Sequence, residues 1–337
     1  MATIKAIGVA QYGSIDNLES RDVPRPSSPT GHDILVQVKA MTVNPIDTKV
    51  RNGTYDDAPD YYNHVSHAFH IIGFDGSGTV LETGPNATSF KPGNEVFFVC
   101  STTRQGSAAE YVLVNSRGCA RKPAALDHAE AASIGLTFGT AYQSLLERLE
   151  IRKGEDVEIN GGGGVGSAAI QIARNVLQLP VVIATASRPE TIESCRRMGA
   201  THVVNHREDL EAQIKALDLD VLIKYAYVVA RTEQYIEALG NIIAPFGKVC
   251  SIVQAKFDFY GSAFMSKSLT FSWDWLGSSA YHAMNLDGFH RVFEALACLV
   301  EEGKLVPNLT RRLRLDLAGL REAHRLIEGG RRCTIQT

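Results

Sequence analysis

The chain has 337 residues, 34 basic and 37 acidic, for a net charge of −3, and 45% of its residues are hydrophobic. At about 150 residues per domain this length predicts two domains, each able to bury its own core. The balanced charge, without any Lys/Arg-rich run, argues against a nucleic-acid or anionic-membrane binder, and no apolar run reaches the roughly 18 residues of a membrane-spanning helix. The start carries no charged stretch followed by a long apolar one, so a cytoplasmic location is expected. Six cysteines are scattered singly, at 100, 119, 195, 250, 298 and 333, with no C-x2-C pair. Neither a cysteine-bound structural zinc nor a disulfide scaffold is therefore expected.

The first part of the chain reads as short strands separated by turns. Ile34, Val36, Val38 and Ala40 alternate with Leu35, Gln37 and Lys39, a half-buried strand with one lapse at Leu35. Gly76–Glu82, Glu95–Cys100 and Glu110–Asn115 are further strand candidates between Gly, Pro and Asn turn signals. Near Asp127 the character changes. Two helices are expected at about 128–135 and 138–149, followed by a strand at Asp156–Asn160 and a helix at Gly166–Leu177. A buried β-branched strand at Val181–Thr185 and a helix at Pro189–Met198 continue the alternation. His202–Asn205, Val221–Ile223 and Lys248–Val253 look like three more strands. Repeated βα units imply a doubly wound parallel sheet of the Rossmann kind. The tail mixes a strand at Leu269–Phe271 with helices at about 287–302 and Leu317–Glu328. The order suggests an α/β fold in which a Rossmann domain, 128–267, is inserted into a β-rich domain formed by 1–127 and 268–337.

Four consecutive glycines, Gly161 to Gly164, lie between a strand and a helix. Gly161-x-Gly163-x-x-Gly166 is the dinucleotide fingerprint in the context it requires. The first glycine allows the tight turn, the second the approach of the pyrophosphate, and the third close helix–strand packing. Gly164 and Val165 belong to the same loop, and the start of the helix that follows offers free N–H groups and a positive dipole end to phosphate. About 20 residues on, an NAD site places an acid for the ribose 2′-hydroxyl. Here the strand ends Ala184-Thr-Ala-Ser-Arg188. Ser187 and Arg188 suit a 2′-phosphate, with the alternative of a helix cap plus a solvated arginine. NADP(H) is accordingly expected over NAD(H). His206 and Arg207 follow the third strand, as second contacts to the adenine side or as surface residues.

Val43-Asn-Pro-Ile-Asp-Thr-Lys-Val-Arg-Asn-Gly53, Gly73-Phe-Asp-Gly-Ser-Gly-Thr-Val80, Phe90-Lys-Pro-Gly-Asn-Glu-Val96 and the glycine run resemble the medium-chain dehydrogenase/reductase superfamily. Within it the chain is similar to the quinone-oxidoreductase (zeta-crystallin-like) branch and its zinc-type alcohol dehydrogenase-like subgroup. Thr103-Arg-Gln-Gly-Ser107, Ile183-Ala-Thr-Ala-Ser-Arg-Pro-Glu-Thr191 and Ser266-Lys-Ser-Leu-Thr-Phe271 carry that closer likeness. The resemblance implies that the β-rich domain is a GroES-like catalytic domain. Catalytic-zinc relatives place Cys and His-Glu where this chain has Asn44 and Phe74-Asp75. Asn and Phe cannot replace thiolate and imidazole, so no metal is expected.

The resemblance also places Asn44 at the former ligand position, facing the nicotinamide, as a donor to a developing oxyanion; a turn-forming Asn before Pro45 is the alternative. Tyr55 is a second candidate donor, or an exposed loop aromatic. Thr137 matches a superfamily position near the nicotinamide, and its hydroxyl suits the carboxamide or ribose. Lys49 and Arg51 are candidates for an acidic substrate group or for plain surface solvation. Ser251 and Val253 end the fifth strand and should back the nicotinamide. The run Lys224-Tyr-Ala-Tyr227 reads as the turn bordering the nicotinamide, which makes Tyr225 a candidate cofactor contact. His64, His67 and His70, spaced three apart, would share a face if helical, but no acid or cysteine accompanies them. Trp273 and Trp275 suit an apolar pocket, the core or an interface. By resemblance a homodimer forms around Phe264 to Phe271. The tail departs from relatives in lacking a Gly-Lys before its last strand.

The leading function is a zinc-independent NADPH-dependent reductase of an α,β-unsaturated carbonyl or quinone. The alternatives are a non-redox isomerase or cyclase, motivated by the Lys224–Tyr227 run and the tail, and a non-catalytic NADPH-binding protein.

Overall fold

The computed structural model describes residues 2–54, 68–155, 157–330 and 333–336. The chain divides into two compact units, residues 1–136 with 277–302 and 306–337, and residues 137–276 with 303–305.

The first unit is built on the strand Asp33–Val43, which pairs antiparallel with Asp75–Thr83 on one side. On its other side it pairs with Tyr111–Asn115 and with the tail strand Cys333–Gln336. Glu95–Val99, Cys119–Arg121 and Arg312–Arg314 complete a seven-stranded sheet. A register shift between Leu35 and Val36 explains the lapse in alternation, since a bulge turns two successive side chains inward. Leu35 and Val36 are both fully buried. A smaller antiparallel sheet has the order Glu19–Pro24, Thr3–Val9, His70–Ile71. Ile4, Ile7, Val9 and Leu18 pack beneath it against Leu320 and Ala323 of the helix Leu317–Glu328. The tail strand forms without the Gly-Lys: its ladder sets Cys333 opposite Val43 and Ile335 opposite Met41. Backbone pairing depends on the partner's free edge more than on side-chain identity.

The second unit is a six-stranded sheet, wholly parallel among the described residues. Its order is His202–Val204, Val182–Thr185, Val157–Asn160, Tyr225–Val228, Lys248–Ser251, Thr270–Trp273. That is the doubly wound order 3-2-1-4-5-6, with the first strand at the switch point where dinucleotides bind. Ile183, Ala226, Val228 and Val249 are fully buried in its core.

Three expectations need correction. The unit boundaries fall at 136/137 and 276/277 rather than at 127/128 and 267/268. The helix His128–Ala132 belongs with the first sheet, where Thr42 Oγ1 donates to the Ala132 carbonyl at 2.7 Å, and Thr270–Trp273 is a strand of the second. The fourth parallel strand is Tyr225–Val228, not Val221–Ile223. Val221 and Leu222 are exposed, whereas all four residues of the true strand are buried. A three-residue apolar run carries too little pattern to locate a strand. The predicted helix at 166–177 begins earlier, as Gly164–Gln171, and ends as a π-helix over Ile172–Val176.

Candidate functional site

In the second unit the loop after Val157–Asn160 turns through Gly161 at φ +125°, a conformation that disfavours any side chain. A Cβ at Gly166 would sit 1.8 Å from the Gly161 carbonyl oxygen, so the helix packs on the turn only because Gly166 has none. A Cβ at Gly162 would meet Cys195 Sγ at 2.6 Å. Gly163 is different: it is exposed, and a Cβ there would have nothing within 4 Å. Gly163 caps the helix Gly164–Gln171 without a side chain, leaving the first-turn N–H groups to a ligand. Thr137 lies against this start, its methyl 3.1 Å from where a Cβ on Gly164 would be. This cradle fits a pyrophosphate.

Ser187 and Arg188 follow the strand Val182–Thr185, and His206 follows the neighbouring His202–Val204. Ser187 Oγ lies 3.2 Å from His206 Nε2. Burial lowers the His206 pKa, and the positive charges of Arg207, Arg231 and Arg188 lower it further. The side chains drawn to this end of the sheet are thus cationic or neutral, as a 2′-phosphate requires. Sequence reading passed over Arg231, which sits in the left-handed region at φ +50° just before the helix Thr232–Ile242.

Ser251 ends its strand on the same edge, fully buried. Its hydroxyl is 2.6 Å from Thr232 Oγ1, which donates to the Val253 carbonyl at 2.6 Å. Thr232 has one proton to give, so Ser251 must be the donor to it. Thr232 was another omission, since a lone Thr at a helix start carries no distinctive signal.

Tyr225 is misplaced by the sequence reading. It begins its strand, level with Val157 and Lys248, at the end opposite the glycine loop. Burial, then a hydrogen bond to Glu155, pushes its hydroxyl pKa up to about 12. The turn at the cofactor edge is instead the stretch after Val228, where Val229 Cγ2 approaches Gly161. Lys224–Tyr227 therefore gives no support to a non-redox reading.

In the first unit Asn44 precedes the helix Pro45–Asn52 and is 3% exposed. Its side chain makes no capping bond. Instead Nδ2 donates to Asp75 Oδ2 at 3.1 Å, while the backbone N–H donates to Asp47 Oδ2 at 2.7 Å. Asp75 Oδ1 accepts the Thr42 N–H at 3.1 Å. Both acids are fully buried. Burial raises the Asp47 pKa to about 7 against the backbone N–H groups it accepts. Burial and then the charge of Asp47 raise that of Asp75. Ser107, from the Thr103–Ser107 motif, donates to the Asp75 carbonyl at 2.6 Å.

Arg51 is neither a surface residue nor available to a substrate anion: it is 3% exposed and paired with Glu328. Lys49 is half-buried, and desolvation lowers its pKa. His70 lies in a strand, opposite Val9, so no helical histidine face includes it. Tyr55, His64 and His67 lie outside the described residues. Phe74 is 5% exposed. Among the described residues no group of three or more His, Cys, Asp or Glu is placed to hold a metal ion.

A parallel sheet in this order, with a glycine-cradled helix start at its switch point, defines a nicotinamide-dinucleotide dehydrogenase fold. Residues 30–124 match the alcohol dehydrogenase GroES-like domain, and 164–297 the zinc-binding dehydrogenase family. A zinc-type alcohol dehydrogenase-like protein of Staphylococcus aureus (strain MSSA476) is 36% identical over 313 residues, covering 90% of each chain. The Homo sapiens quinone oxidoreductase is 35% identical over 206 residues, 61% of this chain and 59% of its own. The crystal structure of a Rhizobium etli protein described as a zinc-dependent alcohol dehydrogenase superposes with a TM-score of 0.91 at 37% identity, covering 100% of this chain and 99% of its own. The chain belongs to the medium-chain dehydrogenase/reductase superfamily, among the zinc-type alcohol dehydrogenase-like proteins, and is an oxidoreductase of that family.

Proposed function

We propose that the protein is a zinc-independent, NADPH-dependent reductase of an α,β-unsaturated carbonyl or a quinone. The observation that carries this reading is Asn44: a buried neutral amide, bonded to Asp75 rather than to its own helix, at a position where zinc relatives need a thiolate. Bound NADPH supplies a hydride from C4 of its nicotinamide. Asn44 would donate a hydrogen bond to the substrate oxygen as negative charge develops on it, the part a Lewis acid plays elsewhere. Gly161, Gly163, Gly164, Val165 and Gly166 would hold the pyrophosphate, with Thr137 beside them. Ser187, Arg188 and His206, joined by Arg231, would hold the 2′-phosphate. Ser251 and Val253 would line the nicotinamide side.

The same reading takes the protein as a cytoplasmic homodimer with a small-molecule substrate. Support for the dimer comes from the edge strand Thr270–Trp273, where Trp273 is 45% exposed and packs edge-to-face on Phe271 and at a tilt on Phe257. An open edge of this kind invites pairing with a second copy. No helix among the described residues is long and apolar enough to cross a membrane.

The test is NADPH consumption by the purified protein against a panel of enones and quinones, with product masses. A gain of two hydrogens is expected. Tight NADPH binding with no turnover, or products of unchanged mass, would sink the reading.

A further inference from the structure

We propose that Asp75 is the positioning residue of this site: its buried carboxyl, set against Asp47, fixes which edge of the Asn44 carboxamide is offered to a substrate oxygen. The inference rests on the reading of Asn44 as the oxygen's hydrogen-bond donor.

An asparagine side chain has two nearly isosteric ends, one donating and one accepting. Only the surroundings decide which points where. Asp75 Oδ2 takes one N–H of Asn44 at 3.1 Å, and as long as that oxygen carries no proton it can only accept, so the amide keeps its donating end toward Asp75. The anchor is itself immobilised. Oδ1 accepts from Thr42, the Leu136 backbone N–H also bonds the carboxyl, and Ser107 grips the Asp75 carbonyl. The Asn44 backbone is tied by Asp47 at 2.7 Å. The bond to Asp75 therefore limits the amide's freedom at both ends.

A second carboxyl makes the anchor responsive to protons. Asp75 faces Asp47 from the helix Pro45–Asn52, and Cys100 just past the strand Glu95–Val99, with Arg104 beyond Cys100. Two acids buried side by side resist carrying two charges, so the pair gives up its last proton at higher pH than a lone carboxyl. Once Asp75 takes up a proton, its hydroxyl can donate to the Asn44 oxygen and the amide is free to reverse. Asp75 would then govern the fraction of molecules with Asn44 set for catalysis, acting on kcat more than on dinucleotide affinity.

The experiment compares Asn44→Ala, Asp75→Asn, Asp75→Ala and the double variant Asn44→Ala/Asp75→Asn in the full chain. Asp75→Asn keeps shape and one acceptor oxygen, so it guards against an Asp75→Ala chain that fails to fold. For Asp75→Asn we expect kcat about tenfold or more lower, a KM within about threefold, NADPH affinity within about twofold, and a kcat–pH profile that differs from that of the unsubstituted protein. The double variant should be no worse than Asn44→Ala. Independently of turnover, the Asn44 side-chain amide resonance, assigned by its loss in Asn44→Ala, should move with pH in the unsubstituted protein and follow a different pH course in Asp75→Asn, where only Asp47 remains to titrate beside it. If Asn44→Ala loses turnover while Asp75→Asn keeps it with an unaltered pH profile, the positioning role is overturned and the role of Asn44 survives. If Asn44→Ala keeps full turnover, both fall. An amide resonance titrating identically in Asp75→Asn would overturn the proposal by itself.

Discussion

Ser187 Oγ and His206 Nε2 stand 3.2 Å apart, bridging the loops that leave two adjacent parallel strands. They belong to different βα units nearly 20 positions apart in the chain. Their contact closes one side of a group whose charged members are arginines. Replacing Arg188 with Ala should weaken NADPH binding about tenfold or more and change NADH binding less than about threefold, because a charged hydrogen bond is worth roughly 1.5–3 kcal/mol. Titration calorimetry with both dinucleotides checks this. Equal losses for the two would remove Arg188 from the 2′-phosphate.

Gly163 and Gly166 separate two uses of glycine in one loop. Gly163→Ala should leave the melting temperature unchanged, since its Cβ would enter open space, yet weaken dinucleotide binding about tenfold. Gly166→Ala should destabilise the fold itself by about 1–3 kcal/mol, because the new Cβ would fall 1.8 Å from the Gly161 carbonyl oxygen. Thermal melts with and without NADPH distinguish the two.

Stability should fall as pH rises toward neutrality, and Asp47 is the reason. Its pKa is about 7 in the folded chain against an ordinary value of 3.8. Between those values the folded state holds a proton that the unfolded state has lost. The Asp47 contribution to the unfolding free energy then declines with rising pH, by at most about 1.4 kcal/mol per unit for one proton, and that contribution levels off above pH 7. Asp47→Asn should flatten that slope, as read from urea midpoints between pH 5 and 8. A slope unchanged by the substitution would assign the proton elsewhere.

Thr232 ties two strand ends together. Thr232→Val removes the donor to the Val253 carbonyl and the acceptor for buried Ser251. A loss of about 1–3 kcal/mol is expected, because the Ser251 O–H donor and the Val253 carbonyl then keep only the long 3.4 Å bond between them. Thr232→Ser should recover most of it, since the hydroxyl returns. Failure of the serine variant to recover stability would point to packing of the methyl group instead.

Much of the frame was legible in the chain itself. The helix Leu317–Glu328 and the strand Val182–Thr185 lie where periodicity puts them, within a residue, because each has a continuous apolar face. Tyr225–Val228 was not legible, because the short apolar run Val221–Ile223 looks like the strand and Lys224–Tyr227 like the turn after it, although tyrosine and valine favour strands. The same slip carried Tyr225 to the wrong end of the sheet.

The sequence by itself determined the phosphate cradle, the lack of zinc-ligand chemistry at Asn44 and Phe74, and the basic character of the second strand's end. The cradle and the basic strand end follow from residue type at a fixed local spacing, which survives without knowledge of the fold, and the positions Asn44 and Phe74 from the chain's resemblance to catalytic-zinc relatives. Only the tertiary structure decided that Asn44 answers to Asp75 and Asp47, that Arg51 is buried against Glu328, and that Arg231 joins His206. Those pairings cross between separate elements, and burial sets their strength. A linear chain records neither which strands become neighbours nor how much water remains between them.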